Sequence, residues 1–405
     1  MKPKLRGIEA RPIEHGGQAM VLLHDPLRLS EAQIAVPRAL TLLLALMDGS
    51  RDEAALEAAL QVHAGVRLAP GLLDRLLADL DAAYLLDNER FAAARAEALQ
   101  AFHQAPFRPL TLDGASYEGR PERVAAQLQG YLDGLPPAGG AQDDEGPIRS
   151  LVSPHIDYQR GGPVYAQVWR AGAEAARQAE LVVILGTDHQ GSDGTVTLTR
   201  QSYATPFGVL PTDGATVDAL AGALGEEAAF DEELHHRNEH SIELAAVWLH
   251  FVRGGEPVPL VPVLLGHFGT FVAGQADPAS HRPFAATVEV LRRVMAERRT
   301  LVVAAADLAH VGPAFGGANG LDFVARAQMR NADERLLQTV YDGDATAFFE
   351  NLKAEGDRRN VCGLPPIYLT LRVLGASHGE PAGYDQCPAD PQGMSWVTIA
   401  GVVLR

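Results

Sequence analysis

From residue 148 onward, short apolar runs alternate with amphipathic stretches. The runs at 149–152, 181–185, 258–265, 301–306 and 396–404 predict strands. Apolar positions at helical spacing predict helices over 164–180, 241–251, 283–298, 321–341, 345–355 and 366–374. Near-continuous apolar strands separated by helices predict an α/β fold, a central sheet buried on both faces and flanked by helices. On such sheets, ligands collect at the carboxyl ends of the strands.

Residues 1–105 have a different texture. The run at 39–47 closes at Asp48-Gly49, a second amphipathic pattern covers 51–62, and Leu72, Leu73, Leu76, Leu77, Leu80 and Leu85 make a third. Three short helices predict a small, mainly helical, winged-helix-like domain, followed by a connecting helix over 91–104. The second domain then spans 106–405, with a further helix over 122–132. The Gly/Pro-rich polar stretch at 136–147 reads as an exposed excursion within it.

The chain has 405 residues with Lys+Arg 34 and Asp+Glu 51, a net charge of −17. That excess of acid argues against nucleic-acid binding and against docking on anionic membranes by net charge. No apolar stretch is long enough to span a bilayer, and no apolar segment follows the first residues as in a signal peptide, so a cytoplasmic location is expected. The two cysteines, Cys362 and Cys387, cannot build a disulfide framework or a Cys-rich zinc site.

The candidate chemistry lies in histidines. Three expected strands run into one: Ser153-Pro154-His155, Gly186-Thr187-Asp188-His189, and Asp307-Leu308-Ala309-His310. A fourth group, His235-His236-Arg237-Asn238-Glu239-His240, precedes an expected helix. Imidazole is a versatile ligand for Fe, Cu and Zn and a base poised near neutral pH. His235 reads as a surface residue, His267 as structural, and Cys362 as a small buried apolar side chain, although near a metal it would supply a thiolate. Gly191-Ser192-Asp193-Gly194 lacks phosphate-loop spacing, and neither Ser153 nor Ser241 sits in a G-x-S-x-G elbow.

Two resemblances attach to these residues. The N-terminal segment resembles the PqqD-like family through 39–47 with Asp48-Gly49 and Leu76-Leu77-Ala78-Asp79-Leu80 before Tyr84-Leu85-Leu86. That resemblance implies a module that binds a peptide or protein partner; a helical packing domain without a ligand is the alternative. Residues 106–405 resemble the Memo family, known in bacteria and archaea as AmmeMemoRadiSam system protein B. The carriers are Ser153-Pro154-His155-Ile156-Asp157-Tyr158, Leu185-Gly186-Thr187-Asp188-His189, Thr205-Pro206-Phe207-Gly208, His236 to Glu243, Ala306-Asp307-Leu308-Ala309-His310 and Val361-Cys362-Gly363.

The Memo resemblance implies a fold like that of class III extradiol dioxygenases of the protocatechuate (LigB) type. It implies metal ligands at His155 and His189, and an acid/base at His240. The third ligand of the best-matched relatives, a Cys, falls on Ala309, and His310 is the substitute. Asp307 and Glu239 would orient the histidines. The implied partners are a radical-SAM protein and an AMMECR-type protein. Three functions follow: a weak or degenerate metal site in a peptide- or protein-modification pathway, an active Fe or Cu oxidoreductase of dioxygenase type, and a zinc hydrolase. Metal identity, and whether any metal is held, stays open at this point.

Overall fold

The computed structural model describes residues 2–137 and 146–405. Most of the stretch expected to form a polar excursion, 138–145, lies outside the described residues. The chain divides into two compact units, 1–105 and 106–405.

The N-terminal unit opens with a three-stranded antiparallel sheet, β1 (Glu9–His15), β2 (Gln18–His24) and β3 (Gln33–Pro37). Gly16 and Gly17 join β1 to β2 with φ of +58° and +76°, the left-handed pair that a tight hairpin turn requires. Helices α1 (Thr41–Leu46), α2 (Glu53–Ala64), α3 (Leu72–Ala82) and α4 (Glu89–Gln104) follow. Asp52 caps α2 by accepting from Ala55 N at 2.9 Å, and Gly65 at φ +66° ends it. Leu43, Leu56, Leu60, Leu80 and Leu85 are wholly buried and form this unit's core. The sheet escapes a hydrophobic-pattern reading because β1 is almost entirely exposed and mostly polar.

The second unit begins with α5 (Pro121–Asp133), β4 (Ser150–Ser153), α6 (Tyr158–Gln178) and β5 (Leu181–Thr187). Three short strands come next: β6 (Val196–Leu198), β7 (Tyr203–Thr205) and β8 (Gly208–Leu210). Then follow α7 (Gly214–Leu224), α8 (Glu226–Phe230), α9 (Ser241–Val252), β9 (Leu260–Leu265), α10 (Gly269–Val272), α11 (Arg282–Glu297) and β10 (Thr300–Ala305). The chain closes with β11 (His310–Val311), α12 (Phe323–Tyr341), α13 (Ala345–Ala354), α14 (Leu364–Leu374), β12 (Gly379–Pro388) and β13 (Trp396–Leu404).

The main sheet has the order β11-β13-β4-β10-β5-β9-β6, with β12 also paired to β13. Strands β4, β10, β5 and β9 are parallel and form its centre; the pairs at both edges are antiparallel. Every residue of β5 is buried, and its side chains alternate between two cores. Leu181, Val183 and Leu185 join the core carrying Val217, Val288 and Ile367 from α7, α11 and α14. Val182 and Ile184 join the core carrying Trp169 and Trp248 from α6 and α9. This two-sided burial is the reason the strands read as unbroken apolar runs.

Helix α6 starts six residues before the expected 164 and runs through Gly161-Gly162-Pro163. Asp157 caps it by accepting from Arg160 N at 3.1 Å. The glycines are needed for contact: a Cβ on Gly162 would fall 2.4 Å from the Tyr131 ring. Among the described residues, no helix is long and apolar enough to cross a membrane.

Candidate metal centre

Strand order explains why distant segments meet. Strand β10 lies between β4 and β5, with Ala305 paired to Ser153 on one side and Gly186 on the other. The three strand ends are therefore level, and the residues just beyond them share one rim: His155, Asp307 and His189. Strand β5 also accepts the start of α9 closely, because a Cβ on Gly186 would meet Ser241 Oγ at 2.6 Å. Ser241 Oγ donates to Thr187 O at 3.0 Å, which anchors Glu239 and His240 beside the rim.

The rings of His155, His189 and His240 face one another. Their centroids are 5.1 Å (His155–His189), 5.4 Å (His155–His240) and 4.9 Å (His189–His240) apart. One ring nitrogen of each lies within 4.8 Å of those of the other two. Their Nδ1 atoms are already engaged. His155 Nδ1 contacts Ala305 O at 2.9 Å, and Glu239 holds His189 Nδ1 at 3.0 Å and His240 Nδ1 at 3.1 Å, one carboxylate oxygen each. That pattern fixes the tautomers and leaves the three Nε2 atoms as acceptors for a metal, as in carboxylate–histidine–metal triads. The three imidazoles are a donor set that could hold a metal ion.

Asp307 has a different task from Glu239. Its Oδ1 accepts from His155 N at 2.8 Å and Ile156 N at 3.2 Å, which fixes the turn after β4. Its Oδ2 is 3.8 Å from His155 Nε2. His310 opens β11, with Nδ1 at 3.1 Å from Leu308 O. It does not join the mutual group of His155, His189 and His240. Ala309 is fully buried, and its backbone pairs with Thr398.

Cys362 occupies a place that its residue type does not reveal. Its Sγ is 3.2 Å from His155 Nε2, and it lines the cleft above the rim together with His189 and His310. The expectation of a merely apolar packing role is corrected by that contact. His235 is likewise no surface residue: its Nδ1 lies 2.8 Å from buried Asp188 Oδ2, and these two with Glu232 form a second group of three His/acid side chains.

Electrostatics in the cluster follow from tight contact. Burial alone would push the His155 imidazole down, but Cys362 and Asp307 outweigh it and raise it to about 9. Burial likewise opposes the charge on Cys362, yet His155 and His310 hold its thiol well below the usual range. Glu239 is also well below the usual carboxylate range, because His189 and His240 overcome the burial penalty. Contact among these groups favours the charged forms of His155, Cys362 and Glu239.

Arg108 secures this arrangement from far away in sequence. Wholly buried, it donates from Nη2 to Glu239 O at 2.7 Å and from Nε to His236 O at 2.9 Å, and it pairs with Glu243 on α9. A cleft of about 840 Å³ opens onto the rim, a size suited to a small-molecule ligand or a short peptide segment. Phe268, Val272, Phe315 and Leu364 give it apolar walls, and His189, His310 and Cys362 bring it to the cluster.

Comparison with known proteins agrees with this architecture. Residues 108–391 match the family model described as "Memo-like protein". A MEMO1 family protein of Aquifex aeolicus is 25% identical over 414 residues, covering 100% of both chains. One from Methanopyrus kandleri is 29% identical over 66% of this chain and 87% of its own. A third, from Thermus thermophilus, is 28% identical over 82% of this chain and 93% of its own. With the match covering most of the α/β unit and all of the clustered histidines, the chain belongs to the Memo family.

Proposed function

We propose that the cleft houses a redox-active transition-metal centre, Fe or Cu, acting on a ligand that enters between the apolar walls. The observation that carries this reading is the division of labour on the imidazoles. Glu239 and the Ala305 carbonyl engage the three Nδ1 atoms, and one ring nitrogen of each histidine lies within 4.8 Å of those of the other two. Such outer partners orient metal ligands and raise their basicity.

His155, the most buried of the three, and His189 hold the ion. His240, with its side chain 39% exposed, moves a proton to or from a bound ligand at Nε2 while Glu239 steadies its Nδ1. Fe or Cu, when bound, supplies one-electron chemistry and an open coordination position. Phe268, Phe315 and Leu364 would give a bound ligand apolar surface to pack against.

Reconstitution with Fe(II), Cu(I) or Zn(II), followed by elemental analysis, tests the reading. One equivalent of Fe or Cu is expected, lost in His155→Ala and His189→Ala, with oxygen uptake or redox cycling of the bound ion. Tight retention of Zn alone, inert to oxidants, would favour a zinc hydrolase. No stoichiometric metal in any form would favour a binding module. The same proposal assigns the N-terminal unit to presenting a peptide or protein partner, in a pathway with a radical-SAM protein and an AMMECR-type protein. Removal of residues 1–105 is expected to abolish that association and to leave metal uptake intact.

A further inference from the structure

We infer that the cleft is selective for a primary amine on an apolar stem, free or as a lysine side chain, whose ammonium group is held by Asp357 and Asn360. The inference deepens the reading above by naming a substrate class. It rests on that reading only in placing the reacting end of the ligand at the histidine rim.

Charge singles out Asp357. Among the described residues it is the one carboxylate that lines the cleft, and no lysine or arginine lines it. The acids behind the rim have partners: Glu239 engages His189 and His240, and Asp307 accepts from the backbone after β4. Asp357 has no partner of opposite charge. Its Oδ1 accepts from Val361 N at 2.9 Å, and no ion pair or further hydrogen bond engages its side chain among the described residues. The guanidinium of Arg359, on the same loop, is committed to Asp333 and to Glu355. Burial, helped by the charge of Glu355, therefore outweighs the Val361 bond and Arg359 and lifts the Asp357 carboxyl to about 6. An ammonium ion in the cleft supplies the missing counter-charge, and a protein of net charge −17 attracts one.

The loop that presents these groups is firmly held. Asp357 and Asn360 take φ of +45° and +48°, a region that Asp and Asn tolerate best among residues with a side chain. Asn360 N donates to Asp357 O at 2.9 Å, which closes the turn between them. Asp357 N donates to Leu352 O at 2.9 Å and His310 N to Arg359 O at 2.7 Å, tying the loop to α13 and β11. Asn360 is exposed, and its side-chain amide makes no hydrogen bond among the described residues. An ammonium group carries three donors and no acceptor, so a carboxylate beside an amide oxygen suits it.

The walls suit the stem. Phe268, Val272, Phe315, Leu364 and Pro365 carry no polar side-chain atom. A second polar group midway along the ligand would lose its hydration there without gaining a partner. His189 and His310 belong to the same lining, so one cleft holds both the anchor for the cation and the rim.

The probes are 4-phenylbutylamine, its neutral counterpart 4-phenylbutanol and the anion 4-phenylbutyrate, titrated calorimetrically into the metal-free full chain. The amine should bind about tenfold or more tightly than the alcohol, as a charge-assisted hydrogen bond implies, and the anion most weakly. Asp357→Asn should bring amine and alcohol to the same affinity while leaving that of the alcohol unchanged. Asparagine keeps an oxygen to accept from Val361 N and tolerates the left-handed backbone, so the loop is retained. On the natural chain, the amine should also protect Cys362, which lines the same cleft, from iodoacetamide. At ten times its dissociation constant it should slow alkylation about tenfold, and the alcohol at that concentration only about twofold. Tighter binding of acetyl-Phe-Lys-amide than of the free amine would identify a peptide lysine as the source, and weaker binding a free amine. No binding of the amine, equal binding of amine and alcohol, tighter binding of the anion, or a preference that survives Asp357→Asn would overturn the inference. Metal uptake, measured separately, would be untouched by that result. Absent metal uptake with the amine preference intact would overturn the metal reading alone.

Discussion

Replacing Glu239 by Gln is the most direct probe of how the centre is held. The carboxylate makes two bonds to imidazoles, to His189 Nδ1 at 3.0 Å and His240 Nδ1 at 3.1 Å. It also accepts from the backbone N of His240 at 2.8 Å and of Ser241 at 2.9 Å, capping α9. An amide has one acceptor oxygen and one NH2 group. In either orientation, the NH2 faces a donor, so one charge-assisted bond to a ring is lost. Such a bond contributes about 1.5–3 kcal/mol, and each 1.4 kcal/mol is about a factor of ten in an equilibrium constant. Glu239→Gln should therefore bind metal roughly 10- to 100-fold more weakly, in line with the usual effect of removing an outer partner of a ligand histidine. Competition titration against a chromophoric chelator, with Zn(II) or Co(II), measures this, and circular dichroism of the metal-free variant checks its fold. A folded Glu239→Gln with affinity within about twofold of the natural protein would refute the reasoning. Packing alone would then orient the rings.

Because His155 is raised to about 9 by Cys362 and Asp307 against the cost of burial, protons compete with metal below that value. Apparent affinity should rise steadily from pH 6 to pH 9 and then flatten; a flat titration over that range would contradict it. Burial lowers His236 to about 4, so the neutral imidazole stabilises the fold fully above its unfolded value near 6.5. That contribution, about 3 kcal/mol, is lost as pH falls from 6.5 to 4; urea unfolding at both ends should show a slope that His236→Gln lacks, and equal slopes would disprove it. Arg108→Ala leaves Glu243 buried without its cation, and urea unfolding should show a loss of about 3–5 kcal/mol; a loss below about 1 kcal/mol would mean that water replaces the guanidinium.

Local pattern alone determined a good deal here. The five apolar runs lie on β4, β5, β9, β10 and β13, because strands buried on both faces leave an unmistakable run of Val, Leu, Ile and Ala. Histidines that follow such runs fall at strand ends by covalent connection, so His155 and His189 could be placed at strand ends without coordinates. The short strands β6, β7, β8 and β11 could not be read, since two or three residues carry no period. Nor could the exposed hairpin of β1 and β2 be read from its polar residues, although Gly16-Gly17 is a turn signal.

Tertiary structure alone decided which side chains meet. The insertion of β10 between β4 and β5 is a matter of strand order, and strand order depends on long-range packing that no local window contains. The same is true of Arg108, which reaches Glu239 and Glu243 across more than a hundred residues. Cys362 shows the distinction most sharply. By residue type it is a small apolar side chain near a helix start, and nothing within ten residues of it is a histidine. It comes to lie 3.2 Å from His155 Nε2 because Gly363 lets its loop touch the end of β10, a contact set by the absence of a single Cβ.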